Sequence, residues 1–282
     1  MRALPFYKMH GLGNDFVVFD ARYGSLDVSE VFLRAVANRK RGVGCDQVIV
    51  LRLPQNAEAD VHMSIYNMDG TQVGACGNAT RCVAMILFQE TKRDVCTIET
   101  IAGFLKAWKD DTGLIAVDFG KPTFDWKAIP LARDVDTVRA PVSAGALSAP
   151  CCVNVGNPHA VFFVPDVDAV PLAEVGPILE TDPIFPERCN IEIAQILSPD
   201  RIRMRVWERG TGITEACGSG SCATLVAAVR RELSARRATI VLDGGELVIE
   251  WRDDDHIIMV GPAALSFTGA IAEDFGHDEK QA

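Results

Sequence analysis

The feature that most constrains this chain is that it is written twice. Gly74-Ala75-Cys76-Gly77-Asn78-Ala79 is echoed by Glu215-Ala216-Cys217-Gly218-Ser219-Gly220. An apolar, helix-prone run follows each, Val83 to Phe88 in the first case and Ala223 to Val229 in the second. A strand-like stretch precedes each, Met63-Ser64-Ile65-Tyr66-Asn67 and Met204-Arg205-Val206-Trp207-Glu208. Further upstream, Gly13-Asn14-Asp15-Phe16 corresponds to Gly156-Asn157-Pro158-His159, and Cys45-Asp46-Gln47-Val48-Ile49 to Cys189-Asn190-Ile191-Glu192-Ile193. The offsets are 143, 144 and 141 residues, with the anchors in one order. Self-similarity at a fixed spacing marks repeated structural units. Packing alone would repeat apolar positions; these anchors are Asn, Gln, Cys and Gly, the residues that build polar sites. The expectation is two similar α/β halves related by a pseudo-twofold axis.

Local patterns agree with two halves. Phe16-Val17-Val18-Phe19 and Val48-Ile49-Val50-Leu51 predict strands, as do Ala160 to Val164 and Ile202 to Val206. Between them, Gly120 to Pro150 carries Pro122, Pro130, Pro141 and Pro150 around a bland Ser143-Ala144-Gly145-Ala146 stretch. It predicts an inter-domain connection with one strand in it. After Gly261 the chain is expected to return to the first half. The polar tail, Glu273 to Lys280, is expected to fray. The predicted domains are therefore 1–119 with about 264–282, and 120–263.

Composition narrows the function. Of 282 residues, 48% are apolar, ample for two cores, and the net charge of −10 excludes a polyanionic partner. No basic stripe with interleaved aromatics offers a nucleic-acid surface. The first eight residues lack the apolar run of a signal peptide, and no stretch approaches the length of a membrane span. A cytoplasmic protein is expected. The nine cysteines, an odd number, do not suggest a disulfide framework, and no Cys-x-x-Cys pair suggests zinc. Cys82, Cys222 and the vicinal Cys151-Cys152 read as buried packing.

Cys76 and Cys217 read differently, because each stands at the start of a predicted helix with Gly77 or Gly218 behind it. The first N–H groups of a helix have no partner within it, and the macrodipole adds partial positive charge there. Such a terminus binds a carboxylate without an arginine. It also lowers the pKa of an adjacent thiol toward neutrality. Two such sites facing each other across the domain cleft would place a thiolate on one side of a substrate α-carbon and a thiol on the other. One sulfur removes the α-proton and the other returns a proton to the opposite face, which inverts the centre. A cysteine hydrolase fits less well. It needs one thiol rather than two, and only His159 of the five histidines lies in an anchor motif.

The motifs together resemble the diaminopimelate epimerase family, over nearly the whole chain. They are Lys8-Met9-His10-Gly11-Leu12-Gly13-Asn14-Asp15-Phe16, Asp46-Gln47, Asn67-Met68-Asp69-Gly70 and Cys76-Gly77-Asn78 in the first half. The second half adds Gly156-Asn157-Pro158-His159, Phe185-Pro186-Glu187-Arg188-Cys189-Asn190, Glu208-Arg209-Gly210-Thr211-Gly212 and Ala216-Cys217-Gly218-Ser219-Gly220. Ile213, Ala79-Thr80 and Cys45 depart from the commonest family pattern without removing a proposed functional group. The resemblance implies an α+β fold of two duplicated domains, each a mixed sheet wrapped around a central helix. It implies interconversion of LL- and meso-2,6-diaminopimelate in lysine and peptidoglycan precursor synthesis, by a homodimer needing neither pyridoxal phosphate nor metal. Phe267 is a candidate for the dimer interface.

By the same resemblance, in the LL-to-meso direction Cys217 accepts the proton and Cys76 donates one. Gly77-Asn78 and Gly218-Ser219 present N–H groups to the reacting carboxylate. Asn14, Gln47, Asn67, Asn157, Asn190, Glu208 and Arg209 line the pocket, and His159 and Glu208 tune the two thiols. Chemistry supports this distribution: a distal carboxylate calls for a planar cation such as Arg209, and neutral amides can serve an ammonium and a carboxylate alike. The competing readings are a related cofactor-independent racemase of proline, hydroxyproline or histidine, and a non-catalytic amino acid binding module. A phenazine-biosynthesis-type isomerase shares the architecture but lacks the paired cysteines.

Overall fold

The computed structural model describes residues 3–26, 28–74, 76–272 and 275–276. The tail beyond Ala272, apart from Phe275 and Gly276, and Ala75 of the first repeat lie outside the described residues. The chain forms two compact units, Met1–Val117 with Pro262–Ala282, and Asp118–Gly261. Each is a mixed sheet with few helices.

In the first unit, strand Asn14–Asp20 runs parallel to Gln47–Arg52, which pairs antiparallel with Val61–Asn67. Val61–Asn67 continues parallel into Val95–Thr100, itself half of a hairpin with Gly103–Lys109. Ala3–Gly11 pairs antiparallel with both Asn14–Asp20 and Ala264–Ala272, so the sheet takes in both chain ends. Alternation sorts the side chains. Val17, Phe19, Val48 and Val50 pack against Phe32, Leu33 and Val36 of the short helix Glu30–Ala37. Phe16 and Ile49 take the opposite face.

The second unit repeats the plan. Pro158–Phe163 runs parallel to Asn190–Ser198, which pairs antiparallel with Arg201–Glu208. Arg201–Glu208 continues parallel into Arg237–Leu242, which forms a hairpin with Gly245–Trp251. Ala160, Phe162, Ile191 and Ile193 pack on Leu172, Val175 and Leu179 of helix Leu172–Glu180, leaving His159, Val161 and Glu192 for the other face. That helix is hard to find from sequence because Gly176 and Pro177 interrupt it.

Two longer helices, Gly77–Thr91 and Gly218–Arg230, occupy the remaining faces. Both are buried nearly all round, which a helix tolerates only inside a core. Their mix of Ala, Val, Leu and small polar residues lets strands approach on several sides. Among the described residues no helix is long and apolar enough to cross a membrane.

Two sequence expectations are corrected. The segment 120–150, which falls in the second unit as the expected bounds had it, is core rather than a plain connection. Its Ile129, Leu131, Ala140, Val142 and Leu147 are buried in that unit's core, and it holds two short paired strands, Ser143–Ala144 and Leu147–Ser148. The prolines break regular structure there without preventing apolar burial. The second correction concerns repeat register. Phe16 pairs with Gln47, and His159 with Asn190, in the two parallel ladders. Gln47 thus corresponds to Asn190 at an offset of 143, and the Cys45–Cys189 match lies one residue out of register. Ladder hydrogen bonding sets equivalence here; the coincidence of two buried cysteines does not.

Candidate active site

Cys217 is the N-cap of helix Gly218–Arg230, with extended backbone at φ −129° and ψ 111°. Its sulfur accepts the Gly220 N–H at 3.4 Å and lies 3.6 Å from the Ser219 hydroxyl. Ser221 ties the cap down by donating its N–H and its hydroxyl to the Cys217 carbonyl, at 3.0 and 2.9 Å. The thiol is buried among acids. Glu208, at the end of strand Arg201–Glu208, accepts a hydrogen bond from Thr214 on the neighbouring strand. The Nδ1 of His159 lies 2.6 Å from the Glu192 carboxylate, and its Nε2 lies 2.8 Å from Asn157 Oδ1.

These neighbours overturn the expectation that the helix start lowers the pKa of this thiol. Burial pushes Cys217 well above the ordinary thiol range, and the Glu208 and Glu192 carboxylates push it further. The Ser219 hydroxyl and the Gly220 N–H pull the other way and lose. Desolvation falls on the charged form, and a helix terminus cannot offset it beside two carboxylates. Burial also raises Glu208, against hydrogen bonding from Thr214 and the attraction of His159. It raises Glu192, with His159 opposing. In this arrangement Cys217 holds its proton at neutral pH.

Cys76 caps helix Gly77–Thr91 with the same extended backbone, φ −150° and ψ 112°. Two amides, Asn14 and Asn78, stand beside it. The Asn14 Oδ1 lies 3.9 Å from its sulfur and accepts from Asn78 Nδ2 at 3.1 Å. The fully buried Arg81 donates to Asn78 Oδ1 at 2.8 Å and to the Pro262 carbonyl at 3.0 Å. Gln47 donates to Asn67 at 3.0 Å, and Asn67 to Thr71 at 3.2 Å. The Gln47 Oε1 is buried with no hydrogen-bond partner among the described residues. An acceptor in that state calls for a donor.

Asn14 is held from behind by an ion cluster. Its amide donates to Asp46 at 2.9 Å, and Arg39 bridges Asp15 and Asp46 at 2.7 Å to each. Burial works against ionising Asp15 but is outweighed by Arg39 and Lys8, which bring its pKa down to about 2.

The expected pocket residues thus fall into two sets. In the first unit Asn14 and Asn78 lie beside Cys76, with Gly77 next to it, and Gln47 pairs with Asn67. In the second unit Glu208 and Ser219 lie beside Cys217, with Gly218 next to it, and Asn157 pairs with His159. Asn190 is tied into the fold at both ends of its amide. It donates to the Pro158 carbonyl at 2.8 Å and accepts the Arg209 N–H at 2.9 Å. The Arg209 guanidinium is exposed and reaches the Glu187 carbonyl at 3.2 Å. Sequence reasoning gave no role to Glu192 or Arg81. The available signal was a charge inside an apolar run, Ile191-Glu192-Ile193-Ala194 in one case and Thr80-Arg81-Cys82-Val83 in the other.

Comparison with known proteins completes the identification. The family model for diaminopimelate epimerase matches residues 6–125 and 151–266. A diaminopimelate epimerase of Rhodospirillum centenum is 56% identical over 268 residues, covering 95% of this chain and 92% of the relative. Another, of Phenylobacterium zucineum, is 50% identical over 271 residues, covering 95% and 97%. Among solved structures, a hydroxyproline epimerase from Agrobacterium vitis superposes with a TM-score of 0.70 at 14% identity, covering 96% of this chain and 91% of that one. A Bacillus anthracis phenazine biosynthesis protein of the PhzF family gives 0.69 at 15% identity, covering 96% and 100%. Those two likenesses establish a shared fold; the close sequence relatives and the family match go further, and the chain belongs to the diaminopimelate epimerase family.

Proposed function

We propose that this chain is an isomerase that interconverts LL- and meso-2,6-diaminopimelate by a two-thiol proton transfer, with each duplicated half acting as a domain that supplies one thiol. The observation that carries the reading is the repeated helix-start cysteine. Cys76 and Cys217 cap equivalent helices with the same backbone geometry, each with a glycine next and polar groups around the sulfur. A single buried thiol has many uses. Two at equivalent positions fit a reaction that needs a base and an acid on opposite faces of one carbon.

The chemistry needs no metal and no pyridoxal phosphate. The barrier lies in forming a carbanion beside a carboxylate, and enzymes commonly remove roughly 8 to 23 kcal/mol from such barriers. Helix N–H groups at Gly77-Asn78 and Gly218-Ser219 stabilise the charge that develops on the carboxylate. Gln47, whose Oε1 lacks a donor, suits a substrate ammonium. Arg209 suits the distal carboxylate.

The high pKa of Cys217 bears on direction. Its protonated thiol is ready to donate, which serves meso-to-LL turnover with Cys76 as the base. For LL-to-meso turnover Cys217 must first lose its proton. The Glu208 carboxylate interacts directly with that thiol and has its own pKa raised by burial, so it is the acceptor at hand. The S–H bond breaks, a carboxylic acid forms, and the thiolate then removes the α-proton. Asn157, His159 and Asn190 position this half of the pocket. A homodimer and a cytoplasmic setting, where thiols stay reduced, belong to the same reading. Leu265 and Phe267 are exposed on strand Ala264–Ala272 and offer an apolar surface for the dimer.

Solvent deuterium incorporation tests the proposal, using reduced protein without pyridoxal phosphate, beside Cys76→Ala and Cys217→Ala, with chiral separation of products. Label at one α-carbon of diaminopimelate with meso product, lost in both variants, is the expected result. Exchange on proline, hydroxyproline or histidine instead would keep the mechanism and replace the substrate. Exchange on none of them would leave an amino acid binding protein and sink the catalytic reading.

A further inference from the structure

Glu192 is a carboxylate with no accessible surface, set in a strand whose first five residues are all buried. Such a group destabilises a fold unless something is gained from it. The other half of the molecule shows that the packing does not require it. The ladder registers make Ile49 the counterpart of Glu192 and Phe16 the counterpart of His159, and both Ile49 and Phe16 are fully buried. The same scaffold therefore closes with two hydrocarbons where the second half has an acid and an imidazole.

A third exchange accompanies these two. Gly220 stands where the first half has Ala79. A Cβ built on Gly220 would come 2.9 Å from Glu192 Oε1 and 3.3 Å from the Cys217 sulfur. The missing methyl makes room for the carboxylate, and only a glycine separates it from the thiol. The carboxylate is also not a satisfied structural linker. Its Oε1 takes His159, while its Oε2 is buried without a hydrogen-bond partner among the described residues. His159 in turn faces an oxygen at each ring nitrogen, Glu192 at 2.6 Å and Asn157 Oδ1 at 2.8 Å. Only a ring protonated on both nitrogens donates to both.

We propose that Glu192 is a positioning residue, holding His159 by its Nδ1–H as a buried imidazolium whose charge offsets the carboxylates around Cys217 when that thiol ionises. The inference rests on the two-thiol reading of the site. The groups facing Glu192 are His159 from strand Pro158–Phe163, Glu208 from Arg201–Glu208, Cys152 from Cys151–Asn154, Cys189 just before its own strand, and Cys217 at the helix start. His159 supplies the positive charge among them. Without the imidazolium, a thiolate at Cys217 would form beside carboxylates alone.

Nitrogen-15 NMR of the full, ligand-free chain, with His159→Gln for assignment, reads the ring directly. Both nitrogens of His159 protonated at neutral pH is the expected result, and a bare Nδ1 overturns the proposal. Two variants then read function. Glu192→Gln should lose one ring proton and at least ~tenfold in kcat, short of the ~10²–10⁴ that a positioned acid–base group contributes directly. Its KM should stay within about twofold, because no substrate contact is removed. Glu192→Ile copies the first half; it should melt no lower than wild type and still lose activity, with a changed pH profile of kcat. Unchanged kcat and pH profile in Glu192→Ile would overturn the proposal and leave Glu192 a packing residue. A wild-type enzyme inactive on diaminopimelate would instead count against the reaction assigned above, since the NMR result needs no substrate.

Discussion

The neighbourhoods of Cys76 and Cys217 share a backbone and differ in charge. Each thiol caps a buried helix from the same extended conformation, beside a strand pair of the same register. Beside Cys76 stand Asn14 and Asn78, with the guanidinium of Arg81 behind Asn78. Around Cys217 stand Glu208, Glu192 and His159. At matched positions, Asn67 has become Glu208, Ile49 Glu192, Phe16 His159, and Arg81 Cys222. Next to the first thiol stand neutral amides, backed by Arg81 and by the cluster of Asp15, Asp46 and Arg39; next to the second stand acids and an imidazole. Duplication supplied two equivalent frames, and side-chain exchange gave them different charged neighbours. The two-thiol reaction proposed above would draw on such a contrast, because there one sulfur holds a proton while its counterpart lacks one.

The largest expected effect comes from removing an acid from the second site. Glu208→Gln should lower kcat by ~10²-fold, the low end for a positioned proton acceptor. It should also bring the Cys217 pKa down, since the Glu208 carboxylate is the foremost charge raising it. Labelling of Cys217 by iodoacetamide, followed across pH by mass spectrometry, should then shift its midpoint to lower pH. An unshifted midpoint would show that burial alone sets this thiol and would weaken the charge contrast between the halves.

The buried cation of the first site gives the next effect. Arg81→Met removes donors to Asn78 and the Pro262 carbonyl and leaves the buried Asn78 acceptor without its charged donor. The expected loss is about 3 kcal/mol in chemical denaturation, in the range for breaking charged buried hydrogen bonds. KM should rise as well, because Asn78 is left without its anchor. At the matched position Cys222→Ala should cost only about 1 kcal/mol, as a small cavity does. Equal losses at the two positions would mean that Arg81 acts by volume rather than by charge.

The smallest effects are in the pH dependence of stability, and they too divide by sign. Asp15 ionises near pH 2 in the folded chain against an ordinary 3.8. Its contribution is therefore complete above pH 3.8 and lost as pH falls toward 2. Burial raises Cys45, Cys82 and Cys96 to about 12 from an ordinary 9.0. Their contribution is present below pH 9 and is lost as pH rises toward 12, because the unfolded chain releases those protons first. Melting temperature should fall at both extremes. Replacing Arg39 with Gln should shrink the acid-side loss and leave the alkaline side unchanged.

Much of this site was legible in the residues. The Ala-Cys-Gly repeat located both helix caps, since Gly77 and Gly218 each open a helix at the predicted point. The match of Asn67 with Glu208 was visible because strand and cysteine keep one spacing in both halves. Less visible were partners distant in sequence. Glu192 meets His159 across 33 positions, and Arg81 meets Pro262 across 181. Helix Leu172–Glu180 was hidden by Gly176 and Pro177, and the segment 120–150 by its prolines.

By itself the sequence determined the duplication, the α+β class, the two thiols and the family, because each rests on residue identity at fixed spacing along the chain. Only the tertiary structure decided the register of the repeat, the core role of the segment 120–150 and the protonation of Cys217. Those depend on which groups are buried together. A helix terminus read along the chain predicts an acidified thiol, and the same terminus buried beside Glu208 and Glu192 carries the opposite shift. Desolvation and close charges act through space, and no spacing along the chain encodes them.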